Sequence, residues 1–223
     1  MDQLLIIGAG GHGRVVADIA RLTGRYQHIA FADDADISSS GGYPVICKTE
    51  EAAQRIGDWD MVVAIGNNAV RKRLSEQLAA CGARLATLIH PTAVVAAGVP
   101  IGPGSVVMAN AVINCGSTVG KGVIVNTAAT VDHDNVIGDY VHISPGVHLG
   151  GTVTVGNEVW LCIGAAVSNN LSICDGCVIG AGAVVIKNIA EPATYSGVPT
   201  AKHQRRGHKE EQSVTEQAKE EKA

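Results

Sequence analysis

The chain has 223 residues, of which 46% are hydrophobic and 17% charged, enough apolar material for one large or two small packed domains. Its formal net charge of −4 argues against a surface that binds nucleic acid or anionic membranes. No apolar run is long enough to span a membrane, and Arg14 and Asp18 interrupt the first one. We therefore expect a cytoplasmic protein with neither membrane insertion nor a secretory signal.

The first 88 residues alternate between strand and helix patterns, which predicts a Rossmann-like βαβ domain with a small parallel sheet. This length is about half of a full dinucleotide-binding domain, so a mononucleotide-sized ligand is expected. The predicted strands cover 3–7, 28–32 and 59–65, and the predicted helices cover 12–23, 49–56 and 68–80.

Residues 8–13, GAGGHG, follow the first strand and lead into the first helix, the context typical of a dinucleotide-binding loop. Backbone N–H groups at such a helix N-terminus suit a phosphate or diphosphate. Asp33 and Asp34 follow about twenty residues later, where an acid that binds ribose is expected.

Residues 64–74, AIGNNAVRKRL, predict a second strand-to-helix turn, with Asn67 or Asn68 as helix cap and Arg71 and Lys72 one turn inside. Both turns follow parallel strands, and ligands bind at the carboxyl ends of such strands. We therefore predict a ligand site at this edge. The alternative is that the glycines only permit tight turns.

From Ile89 to Val185 an aliphatic residue recurs every six positions without a gap, and the residue four positions after each one is nearly always small or β-branched. A period of six fits neither a helix nor a single long strand. It predicts short strands joined by tight turns and stacked into a parallel β-helix. The predicted domains are 1–88 (nucleotide-type), 89–190 (β-helix) and 191–223 (C-terminal extension and tail).

Six cysteines include the pair Cys174 and Cys177, whose spacing can mark a redox or metal site. A second such pair is missing, and both residues lie in the six-residue repeat. We expect them to be buried structural residues in a reducing compartment.

The hexapeptide pattern, as in IGPGSV (101–106), resembles that of the hexapeptide-repeat acyltransferases. This resemblance implies a left-handed parallel β-helix of triangular section, with three hexapeptides per coil and usually a trimeric assembly. Together with GAGGHG (8–13), FADD (31–34) and IGNN (65–68), the chain resembles the nucleotide-sugar N-acetyltransferases of bacterial glycan biosynthesis and the related sialic acid O-acetyltransferase-like proteins. The resemblance implies a UDP-sugar in the first domain, with contacts at Gly10, Gly11, His12, Asp33, Asp34 and Gly66.

Residues 131–136, VDHDNV, form the most polar hexapeptide, and Asn135 breaks the small apolar pattern. Local departures from a strict pattern are expected at functional sites. A neutral His133 imidazole can accept a proton as an amine attacks a thioester, and Asp134 can orient it. In the family that the chain resembles, the general base is a histidine followed by an acidic residue, often Glu. The alternative is a polar surface cluster.

Residues eighteen apart stack in such a helix, so Gly151 lies on His133 and can offer its N–H to the thioester oxygen. The resemblance implies further acetyl-CoA contacts at His142, Ile163 and Ala181, the last in place of the family's glycine. Basic residues after the last coil are candidates to meet the CoA phosphates, namely Lys187, Lys202, Arg205 and Arg206.

The preferred interpretation is acetyl-CoA-dependent, metal-free acetylation of the 4-amino group of a UDP-4-amino-4,6-dideoxy sugar, in a homotrimer with active sites at subunit interfaces. O-acetylation of a sialic acid or other sugar, and a nucleotide-sensing scaffold without catalysis, are the alternatives. A metal-dependent hydratase of the γ-carbonic-anhydrase type would need histidines two coils from His133 or His142. Those positions hold other residues, namely Ala97, Asn169, Val106 and Val178.

Overall fold

The computed structural model describes residues 2–203, and the chain folds into an α/β unit followed by a β-helix. The first unit contains β1 (Gln3–Ile7), α1 (Gly11–Thr23), β2 (His28–Ala32), β3 (Ser39–Ser40), β4 (Tyr43–Cys47), a 3₁₀ helix (Thr49–Arg55), β5 (Asp60–Val63) and α2 (Asn68–Ala80). The sheet order is β3-β4-β2-β1-β5. Because β1 pairs in parallel with both β2 and β5, the loops that follow these three strands meet at one edge.

The β3–β4 hairpin is absent from the sequence prediction. Its strands are antiparallel, and its turn consists of Gly41 and Gly42 at φ 57° and 86°. Two consecutive residues with positive φ are typical of two-residue hairpin turns. The two-residue strand β3 is too short to produce a periodic signal, so the predicted sheet lacked this edge.

Helix α1 packs closely on the loop that precedes it. A Cβ added to Gly13 would lie 1.9 Å from the Gly8 carbonyl oxygen, so only glycine fits there. Gly8 itself has φ 104°, which glycine adopts without strain. The glycines at 8 and 13 therefore hold the N-terminus of α1 against the end of β1.

The β-helix is built from two-residue strands, which between residues 88 and 167 each pair in parallel with the strand eighteen residues further on. They are β6 (Leu88–Ile89), β7 (Val94–Val95), β8 (Val106–Val107), β9 (Val112–Ile113), β10 (Thr118–Val119), β11 (Ile124–Val125), β12 (Thr130–Val131), β13 (Val136–Ile137), β14 (His142–Ile143), β15 (His148–Leu149), β16 (Thr154–Val155), β17 (Trp160–Leu161), β18 (Ala166–Val167), β19 (Ser172–Ile173), β20 (Val178–Ile179) and β21 (Val184–Val185). The chain then adds β22 (Thr194–Ser196) and β23 (Ala201–Lys202).

The strands form three sheets, one on each face of a triangular prism, with orders β10-β13-β16-β19, β21-β18-β15-β12-β9-β7 and β23-β22-β20-β17-β14-β11-β8-β6. This confirms the left-handed parallel β-helix with three hexapeptides per coil. The predicted aliphatic positions are buried from Val107 to Val185, whereas Ile89 is 37% exposed in the open first coil. Arg205, Arg206 and the predicted tail beyond them lie outside the described residues.

The two units share a hydrophobic core, because Leu88, Val106 and Ile124 pack with residues of α1 and its sheet. Neither α1 nor α2, the α-helices within residues 2–203, has the length and apolar character that a membrane crossing requires.

Arg71, on α2, is a second link between the units. Its side chain is buried, and it donates to the carbonyl oxygens of Gly122 and Tyr140 in the β-helix, each at 2.7 Å. It also donates to the Ile65 carbonyl at 3.0 Å and to Asn68 Oδ1 at 2.9 Å. Burial lowers its pKa to about 10, so the guanidinium stays charged at neutral pH. Arg71, which was predicted to lie at the ligand edge, thus connects the two units by hydrogen bonds.

We expect Arg71→Met to lower the free energy of unfolding by about 3–5 kcal/mol, because it leaves several buried carbonyl oxygens without a donor. Chemical denaturation of the variant measures this loss. Arg21→Met is the matched control, since Arg21 lies exposed on α1 and forms an ion pair with Asp18, and the substitution is expected to cost under about 1 kcal/mol. Equal stability of the two variants would contradict the assigned role.

Candidate active site

His133 and Asp134 lie at the corner between β12 and β13. His133 Nδ1 and Asp134 Oδ2 are 2.8 Å apart, and both side chains are more than half exposed. A carboxylate only accepts, so Nδ1 carries the proton and the Nε2 lone pair is left to accept another. Asp134 has φ 57°, a left-handed conformation that Asp adopts more readily than most residues. The predicted pair is therefore formed by adjacent residues at one turn.

The surroundings of His133 make it a stronger base than a free imidazole. The hydrogen bond to Asp134 and the negative charge of Asp132 raise its pKa above 6.5. Asp132 is itself held by the Asn114 amide at 2.9 Å and by the His133 N–H at 2.9 Å, and these bonds lower its pKa. The corner therefore keeps two carboxylates beside one imidazole.

Gly151 lies on the His133 ring, one coil further along the helix. The Thr152 N–H donates to the His133 carbonyl at 2.9 Å, and a Cβ added to Gly151 would lie 2.5 Å from His133 Nε2. Among residues 2–203 no acceptor is hydrogen-bonded to the Gly151 N–H. The Nε2 atom of the exposed His133 therefore lies over the buried Gly151, whose N–H has no acceptor within the described residues.

The predicted nucleotide contacts lie at the carboxyl edge of the front sheet. Gly10 caps α1 without a side-chain bond, and the first turn of α1 carries no acidic residue. The Asp33 carboxylate accepts from the N–H groups of Ala9 at 2.7 Å and Ala35 at 2.8 Å, so it fixes the loop after β1. Asp34 accepts from the Thr49 N–H at 2.9 Å.

A cavity of about 750 Å³ opens beside Asp34, between the 3₁₀ helix and α2. Lys48 and Arg73 supply positive charge, and Ile7 and Ile65 supply apolar surface. This volume and mixture of side chains are typical of small-molecule sites. The lining residues of the cavity come from the ends of β1 and β5, the 3₁₀ helix and α2, and none comes from α1.

His142 lies apart from His133, on a different face of the prism. Its Nδ1 donates to the Gly66 carbonyl at 3.3 Å, and its ring stacks on Trp160 with centroids 5.9 Å apart. The half-buried His12 lies beside it, and its inaccessible Nε2 atom is without a hydrogen-bond partner within residues 2–203. The structure therefore brings His142, predicted to contact acetyl-CoA, against two residues predicted to contact the nucleotide sugar.

His12 and His142 make the protein sensitive to mild acid. Burial lowers the pKa of each to about 4, and the Arg71 charge contributes to both shifts. Between pH 4 and 6.5 the unfolded chain therefore binds more protons than the folded one, and the free energy of unfolding falls as the pH falls. We expect a loss on the order of a few kcal/mol from about pH 7 to about pH 5.

Urea denaturation at both pH values measures this loss, which should shrink in the double variant His12→Gln/His142→Gln. The control variant His28→Gln changes an exposed histidine and should keep the full pH dependence. The same slope in all three proteins would assign the acid sensitivity to other groups.

Ile163 and Ala181 stack one above the other at the corner that follows β17 and β20. The Gly182 N–H donates to the Ile163 carbonyl at 2.9 Å, and the Ile163 side chain is 58% exposed. Trp160, on the strand that leads into this corner, is also exposed, at 43%. One whole face of the prism separates this corner from that of His133.

Cys174 and Cys177 are not joined by a disulfide bond, and their sulfur atoms are 3.4 Å apart. Burial raises the pKa of Cys177 to about 11, which keeps its thiol protonated and unreactive. Within residues 2–203 no three His, Cys, Asp or Glu side chains are grouped as metal ligands.

Solved structures resemble the whole described chain. The acetyltransferase domain of PglB from Neisseria gonorrhoeae FA1090 is 44% identical, with a TM-score of 0.89 over 91% of this chain and 100% of that one. That domain has also been solved in complex with acetyl coenzyme A. PerB from Caulobacter crescentus, in complex with CoA and GDP-perosamine, is 35% identical, with a TM-score of 0.84 over 91% of this chain and 97% of that one.

Sequence comparison gives matches in both parts of the molecule. The PglD N-terminal domain family matches residues 3–78. A 109-residue segment, 47% of the chain, is 37% identical to the UDP-N-acetylbacillosamine N-acetyltransferase of Bacillus subtilis (strain 168) and covers 50% of it. The match thus spans about half the length of that curated relative.

A prism of hexapeptide coils behind a nucleotide-type α/β unit defines the class of left-handed β-helix acyltransferases. Within this class, the sequence identity of 44% over the full length of the PglB domain shows to which family the chain belongs. The chain belongs to the family of nucleotide-sugar N-acetyltransferases that includes PglD and the acetyltransferase domain of PglB.

Proposed function

We propose that the chain transfers the acetyl group of acetyl-CoA to the 4-amino group of a UDP-4-amino-4,6-dideoxy sugar. The observation that carries the proposal is the His133 Nε2 atom lying over Gly151, whose N–H has no hydrogen-bond acceptor among residues 2–203, with Asp134 bonded to the opposite ring nitrogen. Acetylated bacillosamine is named in the curated relative, and perosamine in a solved one. Both support an amino sugar as acceptor.

In the proposed mechanism the sugar amine attacks the thioester carbonyl, and His133 Nε2 takes the amine proton. The Gly151 N–H donates to the oxygen that becomes negative in the tetrahedral intermediate. The C–S bond then breaks, the amide forms, and the CoA thiolate takes up the proton held by His133. Asp134 keeps the ring in the required tautomer and stabilises its cationic form.

The two substrates are assigned to different surfaces. The carboxyl edge of the front sheet would hold the nucleotide sugar, through the first turn of α1 and the cavity beside Asp34. The exposed apolar side chains of Trp160, Ile163 and Ala181 would contact the pantetheine arm of CoA. Lys187 and Lys202 remain candidates for its phosphates.

We further propose a homotrimer. The His133 corner and the Ile163 corner belong to different edges of one prism, so a single chain does not bring them face to face. Packing three prisms side by side would set the base of one protomer against the CoA surface of its neighbour.

Six cysteines without disulfide bonds fit a cytoplasmic enzyme.

The test measures thiol release from acetyl-CoA with UDP-, GDP- and dTDP-linked 4-amino sugars. The same assay is run with hydroxylated sugars that lack the amine. We expect turnover with one UDP-amino sugar and an N-acetyl product by mass spectrometry. Turnover only with a hydroxylated sugar would replace the proposal with O-acetylation. Nucleotide-sugar binding without turnover of any acceptor would favour the scaffold alternative.

A further inference from the structure

Asn135 is a fully buried polar side chain inside the β-helix core, at a position where most coils carry a small apolar residue. Its amide group makes three strong hydrogen bonds, all with backbone groups. Nδ2 donates to the Asp132 carbonyl at 2.6 Å and to the Gly150 carbonyl at 3.1 Å, and Oδ1 accepts from the Val153 N–H at 2.9 Å. One side chain thus holds two consecutive coils at the same corner.

The carbonyls of Asp132 and Gly150 belong to the peptide units directly before His133 and Gly151 of the proposed active site. The Gly150 carbonyl and the Gly151 N–H are parts of one planar peptide, so a bond to the oxygen fixes the direction of the N–H. The same bond polarises that peptide and strengthens its N–H as a donor. The Asp132 carbonyl shares a peptide with the backbone nitrogen of His133.

We propose that Asn135 is a positioning residue for acetyl transfer: it fixes the peptide of the oxyanion donor and the backbone of the base from within the core. The proposal rests on the proposed function of the His133 corner. Asn135 reaches no substrate itself, because it points into the core. Its effect is therefore on the alignment of Gly151 with His133.

Two serines show what such a buried residue does elsewhere. Ser105 Oγ donates to the Gly120 carbonyl at 2.9 Å and accepts from the Val123 N–H at 3.0 Å, at a corner without a proposed active-site residue. Ser117 Oγ makes the equivalent bond to the Asp132 carbonyl at 2.7 Å. A buried polar bridge between coils is thus a structural element of this β-helix. Asn135 differs in bonding the peptides before both His133 and Gly151.

The variant that separates alignment from folding is Asn135→Val, since valine occupies the equivalent position of the next hexapeptide, Val141, and of the next coil, Val153. Ser105→Val is the matched control, because it also removes a buried bridge. We expect kcat of Asn135→Val to fall about 10- to 100-fold. The KM values for both substrates should stay within about twofold, since neither substrate surface is changed. Ser105→Val should keep kcat within about twofold of the wild type, whatever its thermal stability.

An equal fall of kcat in both variants would show a general loss of β-helix order and overturn the proposal, as would an unchanged kcat in Asn135→Val. If the wild type acetylates no sugar, the proposed function fails, and crystal structures of the wild type and Asn135→Val then test the geometry. We expect the plane of the peptide between Gly150 and Gly151 to rotate in the variant. An unchanged plane would overturn the role of Asn135 independently of activity.

Discussion

His133→Ala should lower kcat for acetyl transfer by about 10³-fold, within the range that general bases contribute. The loss is expected because Nε2, which lies over Gly151, is the proposed proton acceptor, and Asp134 is hydrogen-bonded to Nδ1. The KM for the nucleotide sugar should be nearly unchanged, since the front sheet and its cavity lie in the other unit. Initial-rate kinetics by thiol release measures both parameters.

The pH profile gives a second measurement of the same prediction. Asp134 and the Asp132 charge raise the pKa of His133 above 6.5. The wild-type kcat/KM should therefore fall as the pH is lowered through this pKa and the imidazole becomes protonated. This limb should disappear in His133→Ala. His148→Ala is the control, since His148 is an exposed histidine on β15 that bonds Thr130 at 2.8 Å. Unchanged turnover in His133→Ala, or loss of nucleotide-sugar binding with it, would contradict the base assignment.

The β-helix could be predicted from the sequence because its period is strict and each coil repeats the same contacts. A repeat of six residues and three faces sets an offset of eighteen, and this offset alone places Gly151 on His133. The polar residue Asn135 breaks the small apolar pattern of the repeat and drew attention to this corner, and the structure buries its side chain in the core. Its three strong hydrogen bonds could not be predicted, because they depend on which backbone groups each corner leaves unpaired.

The junction between the two units could not be predicted. Arg71 carries a charge next to a ligand-type turn, and the sequence alone placed it at the ligand edge. In the structure it is buried and donates to carbonyls of the β-helix. His142 likewise contacts Gly66 across the junction. Neither local pattern nor periodicity encodes how two separate units pack, and the contacts between them follow from that packing.

Gly151→Ala should lower kcat by about 10²-fold while leaving the fold intact. The backbone of Gly151 lies outside the positive-φ region, so alanine adds no backbone strain. Its Cβ, however, would lie 2.5 Å from His133 Nε2 and 2.6 Å from Cε1, closer than van der Waals contact allows. The ring must therefore move away from the N–H beside which it lies. Kinetics with a thermal melt of the same preparation measures both effects.

The double variant His133→Ala/Gly151→Ala tests whether the glycine acts through the histidine. If Gly151→Ala is harmful because it displaces the imidazole, it should cost little once the imidazole is gone, and the two losses should be strongly non-additive. If the losses multiply, the added methyl group obstructs the thioester or the N–H donor independently of the base. Since Gly151→Ala keeps the N–H and adds only bulk, the cycle separates the alignment of the base from the binding of the oxyanion.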